Sequence, residues 1–515
     1  MHSNFRHPHA IVLTTLALGF AADLLFYNRI PGISVPLFIA LCVAGLYLFS
    51  RAEQRFATSG NRWLGLAALL FATLTAVRAE PTLVFLNATA CIILILLQVG
   101  LFRGPLLAGL TGAQYLWASI VAMFDIGIRP PPAILRVFAA LTPRGERLRL
   151  LVPIGRGLLL AFPIILVFTL LLMAADSIFA SYVVQAFSFS SWFNGSEIIS
   201  HIFLIGIAIW VCSGALLTAL RDQAEQAPAE GATQVLPHAP WQLGCVEALT
   251  VLILVDVLFA GFMVIQAAYL FGGLYMLTQS GMTYADYARR GFFELIAVAF
   301  LSIGLLWLLV NRTRRDVAWH SPAFHSVGAL LIFLTLGLLG SAFQRMWLYE
   351  QAYGFTHLRI YTHVFMVWLV VLLGLLLATM VSGKLRWFPF GGFVSALVVL
   401  ALLTLADPET IIVRANVARF QATGNLDLIG AGNDQTEDSY GSYRPSRAID
   451  TGYLARLSPD ATPALIEVLP TLPPAEQATI REGLEEQRAW LQREAEHSGW
   501  PGWHFARWRA WAVLE

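Results

Sequence analysis

The stretch Ala10–Tyr27 carries a single charged side chain, Asp23, and comparable apolar runs recur at 33–50, 62–78, 82–99, 152–175, 198–220, 245–270, 291–311, 326–349, 360–382 and 388–406. A helix that crosses the hydrocarbon core of a bilayer needs about 20 mostly apolar residues. In that core no water is present to satisfy backbone N–H and C=O groups, so each crossing must close its hydrogen bonds within itself or within a barrel. Runs of this length and continuous apolarity select the helix. The fold class predicted is an all-α integral membrane helix bundle of about eleven transmembrane helices, with a small α-helical C-terminal region outside the membrane.

Composition agrees. Charged residues make up 13% of the chain and hydrophobic ones 57%, against about 25% charged in ordinary soluble domains. The net charge of +1 gives no electrostatic footprint for nucleic acid. Lys384 is the single lysine. The first run keeps Asp23 and lacks a small-residue cleavage site, so it reads as a retained span rather than a cleaved leader. The four cysteines, Cys42, Cys91, Cys212 and Cys245, all fall in or beside apolar runs and show no metal-binding spacing. They read as small buried apolar residues.

Arginine placement sets the orientation. Short loops rich in Lys and Arg stay on the cytoplasmic side. With the N-terminus inside, the inner loops hold Arg51, Arg55 and Arg62, then six arginines between 103 and 149, then Arg221, then Arg312, Arg314 and Arg315, then Lys384 and Arg386. The outer loops are poorer. The stretch 105–124 holds two glycines, a glutamine and a tyrosine, and reads as interfacial or re-entrant; counting it as a crossing would invert everything after it. The inner segment 100–151 includes Pro130–Pro132, which breaks any helix, followed by an apolar face over Ile134–Ala140 beside arginines. It reads as an amphipathic helix on the inner leaflet or as a plain loop. An odd number of spans leaves residues 407–515 outside the membrane, which in a bacterium means the periplasm.

Two domains follow: the bundle, 1–406, and the tail, 407–515. Pro408–Gln421 reads as an amphipathic helix with Ile411, Ile412, Ala415, Ala418 and Phe420 near one side. Gly424–Ser446 reads as a loop. Two short helices are expected around Ser458–Pro463 and a longer one over Pro473–His497. Trp500, Trp503, Trp508 and Trp511 either pack on the tail's own core or sit in the outer headgroup layer.

Ionisable groups inside spans are expensive, so each is a functional candidate. Asp23, Asp176, Glu197, His201, Gln266, Glu294, Arg345, Tyr349, Glu350, Arg359, Tyr361 and His363 all fall at outer ends, with Asp286, Arg289 and Arg290 in the loop before Glu294. Arg345 and Tyr349, Tyr349 and Tyr353, and Arg359 and His363 are four apart and share helix faces. The candidates for ligand binding are Asp176, Asp256, Asp286, Arg289, Glu294, Arg345, Tyr349, Glu350, Arg359 and His363. They form either an outward polar pocket covered by the tail or a set of ion pairs locking helix ends, such as Glu294 with Arg345. Asp256 lies near mid-membrane and is either a proton-relay group or the partner of a polar group on a neighbouring helix. No Walker A loop, paired-histidine metal motif, GxSxG or calcium-loop spacing occurs. No metal, cofactor or catalytic residue is predicted.

The runs RGLLLAFPIILVFTLLLMAADSIFA at 156–180, YARRGFFELIAVAFL at 287–301, LRIYTHVFMVWL at 358–369, and NVARFQATGNLD followed by DTGYLARLSPDATPAL resemble a family of polytopic bacterial inner-membrane proteins defined by a domain of unknown function. The resemblance covers most of residues 60–515. It implies a cytoplasmic-membrane protein with ten or more spans and an outward C-terminal region, and it brings no activity, cofactor or catalytic residue. The segment 428–449 looks like an insertion in the tail pattern.

The leading expectation is a protein of the inner membrane, with no demonstrable enzymatic activity, that binds an envelope ligand or partner through its outer face, residues 407–515 serving as the interaction module. The alternatives are a proton-coupled transporter of a small or lipid-linked solute using Asp256, and a lipid-linked sugar transferase. Against the last, the first outer loop, Asn28–Gly32, lacks the carboxylate such enzymes place there.

Overall fold

The computed structural model describes residues 7–128, 195–221, 243–271, 292–313, 320–430 and 449–515. Among these residues the chain is helical and has no strand; a single parallel bridge joins Leu243 to Thr313. The helices are α1 (Pro8–Phe26), α2 (Ser34–Ala52), α3 (Trp63–Leu74), α4 (Pro81–Gly100), α5 (Gly112–Ile128), α6 (Gly195–Ala219), α7 (Cys245–Phe271), α8 (Phe292–Arg312), α9 (His320–Tyr353), α10 (His357–Val381), α11 (Phe388–Leu405), α12 (Pro408–Gly430), α13 (Thr451–Ala455), α14 (Thr462–Val468), α15 (Pro474–Ser498) and α16 (Phe505–Leu514).

Eight of them, α2, α4 and α6 to α11, are long and apolar enough to cross a membrane. Their surfaces are apolar toward the outside as well as the inside: on α7, Leu252 and Phe259 are buried while Leu254, Val257 and Leu258 are exposed. Exposed apolar surface on that scale requires a bilayer around it. The expected count of eleven is met only in part. The predicted span 152–175 and the inner segment 129–151 lie outside the described residues. Helix α1 is a shorter apolar helix. Helix α3 has 12 residues instead of the 17 expected from the run 62–78, which at 1.5 Å per residue is about 18 Å, short of a ~30 Å core. It ends early because the carbonyls of Thr75 and Ala76 are taken up elsewhere, by His504 Nε2 at 3.2 Å and Phe505 N at 2.9 Å. The stretch 105–124 forms a 3-10 turn at Leu107–Gly109 and then α5, a continuous apolar helix of 17 residues.

The chain divides into two compact units. The first holds residues 1–77, 84–233 and 492–505. Here α1 packs on α6 and α2, and α5 on α6. The α5–α6 approach is close because Gly214 has no side chain: a Cβ there would run into the backbone of Ile126. At one end Asp23 and His201 Nδ1 meet at 2.7 Å and Tyr27 stacks on the imidazole. At the other, Arg221 pairs with Asp125 at 2.9 Å and Arg103 donates to the Arg221 carbonyl. The side chain of Asn61 clamps the α4–α5 connection, donating to the carbonyls of Leu101 and Pro105 and accepting from Leu107 N.

The second unit holds residues 78–83, 234–491 and 506–515. Its membrane core is a cluster from α7 to α10 that includes Leu252, Ala299, Leu306, Leu331, Ala342, Leu369 and Leu376. Helices α7 and α9 run parallel in a fixed register. Cys245 Sγ lies 3.8 Å from the His320 carbonyl, a Cβ at Gly337 would lie 2.8 Å from Met263 Cε, and Ser341 Oγ lies 3.5 Å from Gln266 Oε1. Helix α9 has 34 residues, about 51 Å at 1.5 Å per residue, and so outruns the apolar run 326–349 at both ends.

The tail has its own core: Ile412, Val413 and Val417 of α12 against Leu454, Leu457, Ala461, Leu465, Ile480 and Leu484. The two short helices and the long α15 fall where the sequence puts them. The buried face of α12 does not. It is Glu409, Ile412, Val413, Asn416 and Val417, while Ile411 is exposed. Two polar side chains sit on the inner face because both are hydrogen-bonded there, which rotates the helix by about one position. Helix α12 also runs on to Gly430, through the start of the stretch expected as a loop; residues 431–448 lie outside the described residues.

Candidate functional site

In the second unit, one end of the bundle collects polar side chains from segments far apart in sequence. Arg78 lies just before α4. Its Nη1 is 2.7 Å from Asp407 Oδ2 and 3.4 Å from Asp460 Oδ1, its Nε donates to the Thr404 carbonyl at 2.7 Å, and its Nη2 donates to the Leu405 carbonyl at 3.0 Å. The guanidinium thus ties off the C-terminal carbonyls of α11, where the helix dipole favours a cation. Asp407 adopts φ +56°, which turns the chain sharply from α11 into α12, and it also receives Arg509 Nη2 at 2.9 Å. Asp460 Oδ2 accepts from the backbone N–H of Ala79 at 2.6 Å and of Glu80 at 3.0 Å.

Glu80 in turn caps α4, accepting from Thr82 N at 3.0 Å and Leu83 N at 2.6 Å, and from the Tyr361 hydroxyl at 2.7 Å. This is the carboxylate chemistry favoured at helix N-termini. Burial opposes its ionisation, but the hydrogen bonds from Tyr361, Leu83 and Thr82 outweigh burial and hold the carboxyl below its ordinary range. One turn before Tyr361, His357 Nε2 lies 3.0 Å from Glu409 Oε1. The Tyr453 hydroxyl lies 3.0 Å from His357 Nδ1 and accepts from His357 N at 3.1 Å. Glu409 also accepts from Ser458 N at 3.1 Å and Ser458 Oγ at 2.7 Å.

Glu80, Glu409 and Asp460 are each at most 4% exposed. Burial and the neighbouring Glu409 push the Asp460 carboxyl up, against the pull of Arg78, to about 6. Ser458, Glu409 and His357 superficially suggest a nucleophile, an acid and a base. The geometry excludes that role: the serine hydroxyl donates to the carboxylate, not to the imidazole, so His357 cannot take its proton. Every carboxylate in the network is filled by donors from the protein itself.

The next face of α10 carries a second cluster. Arg359 stacks over the Tyr349 ring at 4.3 Å and donates to the Gly354 carbonyl. His363 Nδ1 lies 3.1 Å from Glu350 Oε1, and the Phe343 ring meets its imidazole edge-on. Tyr349 and Tyr353 are in contact at 4.8 Å. The turn between α9 and α10 is clamped by Asn416, whose side chain accepts from Phe355 N at 2.8 Å and donates to the Phe355 carbonyl at 2.9 Å. Arg419, one turn along α12, lies beside the same turn. Burial first and the charge of Arg359 second push its guanidinium below the ordinary arginine value.

Of the residues singled out from sequence, Tyr349, Glu350, Arg359 and His363 come together here, with Arg345 half-buried one turn earlier on α9. Glu294 is exposed in the first turn of α8 and makes no ion pair among the described residues. Asp256 is 4% exposed in the middle of α7, and neither carboxyl oxygen has a hydrogen-bond partner among the described residues. Asp176, Asp286 and Arg289 lie outside the described residues. Sequence reasoning did not single out Arg78, Glu80, His357, Asp407, Glu409, Tyr453, Ser458, Asp460 or Arg509. A signal was present: Glu80–Pro81, Asp407–Pro408 and Ser458–Pro459–Asp460 each set a carboxylate beside a proline at a segment boundary. Among the described residues no group of three or more His, Cys, Asp or Glu is placed to hold a metal ion.

A family model described as a domain of unknown function, DUF4153, matches residues 65–468. The chain belongs to this family. The match takes in α4 to α14 and therefore all of the network except Arg509. No curated protein and no solved structure matches the chain.

Proposed function

We propose that this member of the family binds an envelope ligand or partner at the end of the bundle formed by α9, α10 and the tail helices, and that this end faces the periplasm of a bacterial inner membrane. The closed polar network around Arg78 and Glu409 carries the reading. It spends its charged groups on fastening the tail to the span ends, as an interaction platform requires and an open catalytic centre does not. The residues left at its border, Arg359 over Tyr349 with Arg345 nearby, are cationic and aromatic, a combination suited to an anionic or carbohydrate-bearing ligand. Arginine-rich loops at the opposite ends of the spans support the orientation. The hydrogen bond between Glu80 and Tyr361 sets the starts of α4 and α10 at one end of the bundle, which calls for an even number of crossings between them, in keeping with the six that the sequence suggests.

A photo-crosslinking amino acid in place of the exposed Gln351, introduced in living cells, tests the reading. A discrete adduct that disappears in Arg359→Gln, with the melting temperature unchanged, is expected. No adduct, or one indifferent to Arg359→Gln, overturns it. Reporter fusions at Lys384 and after Asp407 check the orientation separately.

Asp256 favours a second reading, proton-coupled transport. A mid-membrane carboxyl with no partner is costly to keep. Proteoliposomes carrying a pH-sensitive dye and challenged with solute gradients test it: coupled proton movement lost in Asp256→Asn supports transport, and identical traces count against it. A lipid-linked sugar transferase is the least favoured, since the turn Asn28–Gly32 carries no carboxylate.

A further inference from the structure

Residues 492–505 belong to the first unit and are pinned to the ends of its helices. Ile33 N donates to the Trp503 carbonyl at 2.8 Å and Ile30 N to Ser498 Oγ at 3.3 Å. Gly32 packs so closely on the carbonyls of Gly502 and Trp503 that a Cβ has no room. With the bonds from His504 and Phe505 to Thr75 and Ala76, the segment is fixed at the α1–α2 turn and at the end of α3. Its backbone is therefore buried, with Pro501 and Gly502 closed off, yet its two largest side chains point away: Trp500 is 60% exposed and Trp503 43%.

This arrangement inverts what a soluble tail would do. A tryptophan costs little to bury and much apolar area to leave in water. Here the backbone is anchored and the indoles are left outside, beside Ile30, which is also exposed. The same turn carries Arg29. Its side chain is only half-buried, and its guanidinium makes no ion pair among the described residues. In the second unit, independently, Trp508 is exposed next to Arg509, which bonds Asp407 at the end of α11. In the first unit, exposed indoles where apolar helices end, beside a guanidinium with no ion pair among the described residues, match the headgroup layer, where indoles are favoured and phosphates are dense.

We propose that Trp500, Trp503 and Arg29 form a lipid anchor: the indoles lie in the headgroup layer of the membrane leaflet at the α1–α2 turn, and the Arg29 guanidinium takes the phosphate of an anionic lipid. The tail is then fastened twice, by its backbone to the helix ends and by its indoles to the bilayer.

The test uses the full chain in nanodiscs of phosphatidylcholine and phosphatidylglycerol. Spin labels are placed at Trp500→Cys, at Trp503→Cys and, as the aqueous reference, at Glu485→Cys, with the signal of the parent's own cysteines subtracted. Labels at 500 and 503 are expected to relax with oxygen and to be shielded several-fold from a water-soluble nickel chelate relative to 485. Nickel access equal to that at 485 overturns the proposal. So does shielding from both agents, which means a protein surface covers the site. If one variant does not fold, the other decides. For Arg29, native mass spectrometry of the extracted protein is expected to show phosphatidylglycerol retained over phosphatidylcholine in the parent and the preference lost in Arg29→Gln. Displacement of that lipid by inorganic phosphate, or equal retention in the variant, rules out the headgroup contact.

Discussion

Arg78 and Asp407 meet at 2.7 Å where both side chains are nearly closed to solvent, 8% and 13% exposed, and the two residues come from opposite ends of the sequence. Removing one partner of such a pair leaves the other buried and uncompensated, which costs about 3–5 kcal/mol. Arg78→Gln is therefore expected to lower the melting temperature of the purified protein sharply and to expose residues 450–490 to protease. The double variant Arg78→Met, Asp407→Leu is expected to recover part of the loss, because it removes both charges. A double variant as unstable as the sum of its singles contradicts this account of the pair.

The pH dependence of tail docking follows from Asp460. Its carboxyl rises from 3.8 to about 6 on folding, chiefly through burial and the neighbouring Glu409. A carboxyl raised in the folded state binds more protons there than in the unfolded chain, so its contribution weakens as pH climbs from about 4 to about 6 and the penalty is complete above that. Docking of the tail is expected to be firmer at pH 5 than at pH 7. Asp460→Asn is expected to flatten that difference, measured as protease resistance of the tail across the same range.

Gly354, at φ +78°, leaves no room for a Cβ against Asn416, whose amide clamps Phe355 on both sides. Gly354→Ala adds a left-handed backbone penalty of about 1 kcal/mol to a steric collision. The α9–α10 turn is expected to open, so that backbone amide exchange at Phe355 accelerates. Asn416→Ala is expected to accelerate the same amide without the backbone penalty, and unchanged exchange in both would contradict the clamp.

Asp256→Leu is expected to melt at or above the parent, because an unsatisfied buried polar group costs about 1–3 kcal/mol that leucine does not. A lower melting temperature would mean the carboxyl is held by a partner in the membrane.

The apolar runs were legible because hydrophobic length is a local property: α2, α4 and α6 to α11 each announce themselves within twenty or so residues. The same locality explains the misses. A hydropathy run records the thickness of hydrocarbon, not the length of the helix, so α9 begins at His320 where the run begins at 326. Glu409 and Asn416 are absent from the apolar face read for α12, since only their distant partners, His357, Ser458 and Phe355, justify burying them. Tyr349, Glu350, Arg359 and His363 could be grouped because they flank one turn. Arg78, Asp407 and Asp460 could not: nothing local says that residue 78 will meet residue 460.

That separation sets an order on synthesis. Arg78 and Glu80 enter the membrane among the first spans, but Asp460 lies 382 positions beyond Arg78. At about 5–20 residues per second the ribosome needs roughly 20–80 s to close that gap. Until then the guanidinium lacks Asp460, for most of the interval it lacks Asp407 as well, and the backbone of residues 79 and 80 lacks its acceptor. A nascent chain halted before residue 407 therefore holds Arg78 with neither of its carboxylates, and the joint between the early spans and the tail closes only when synthesis is nearly finished.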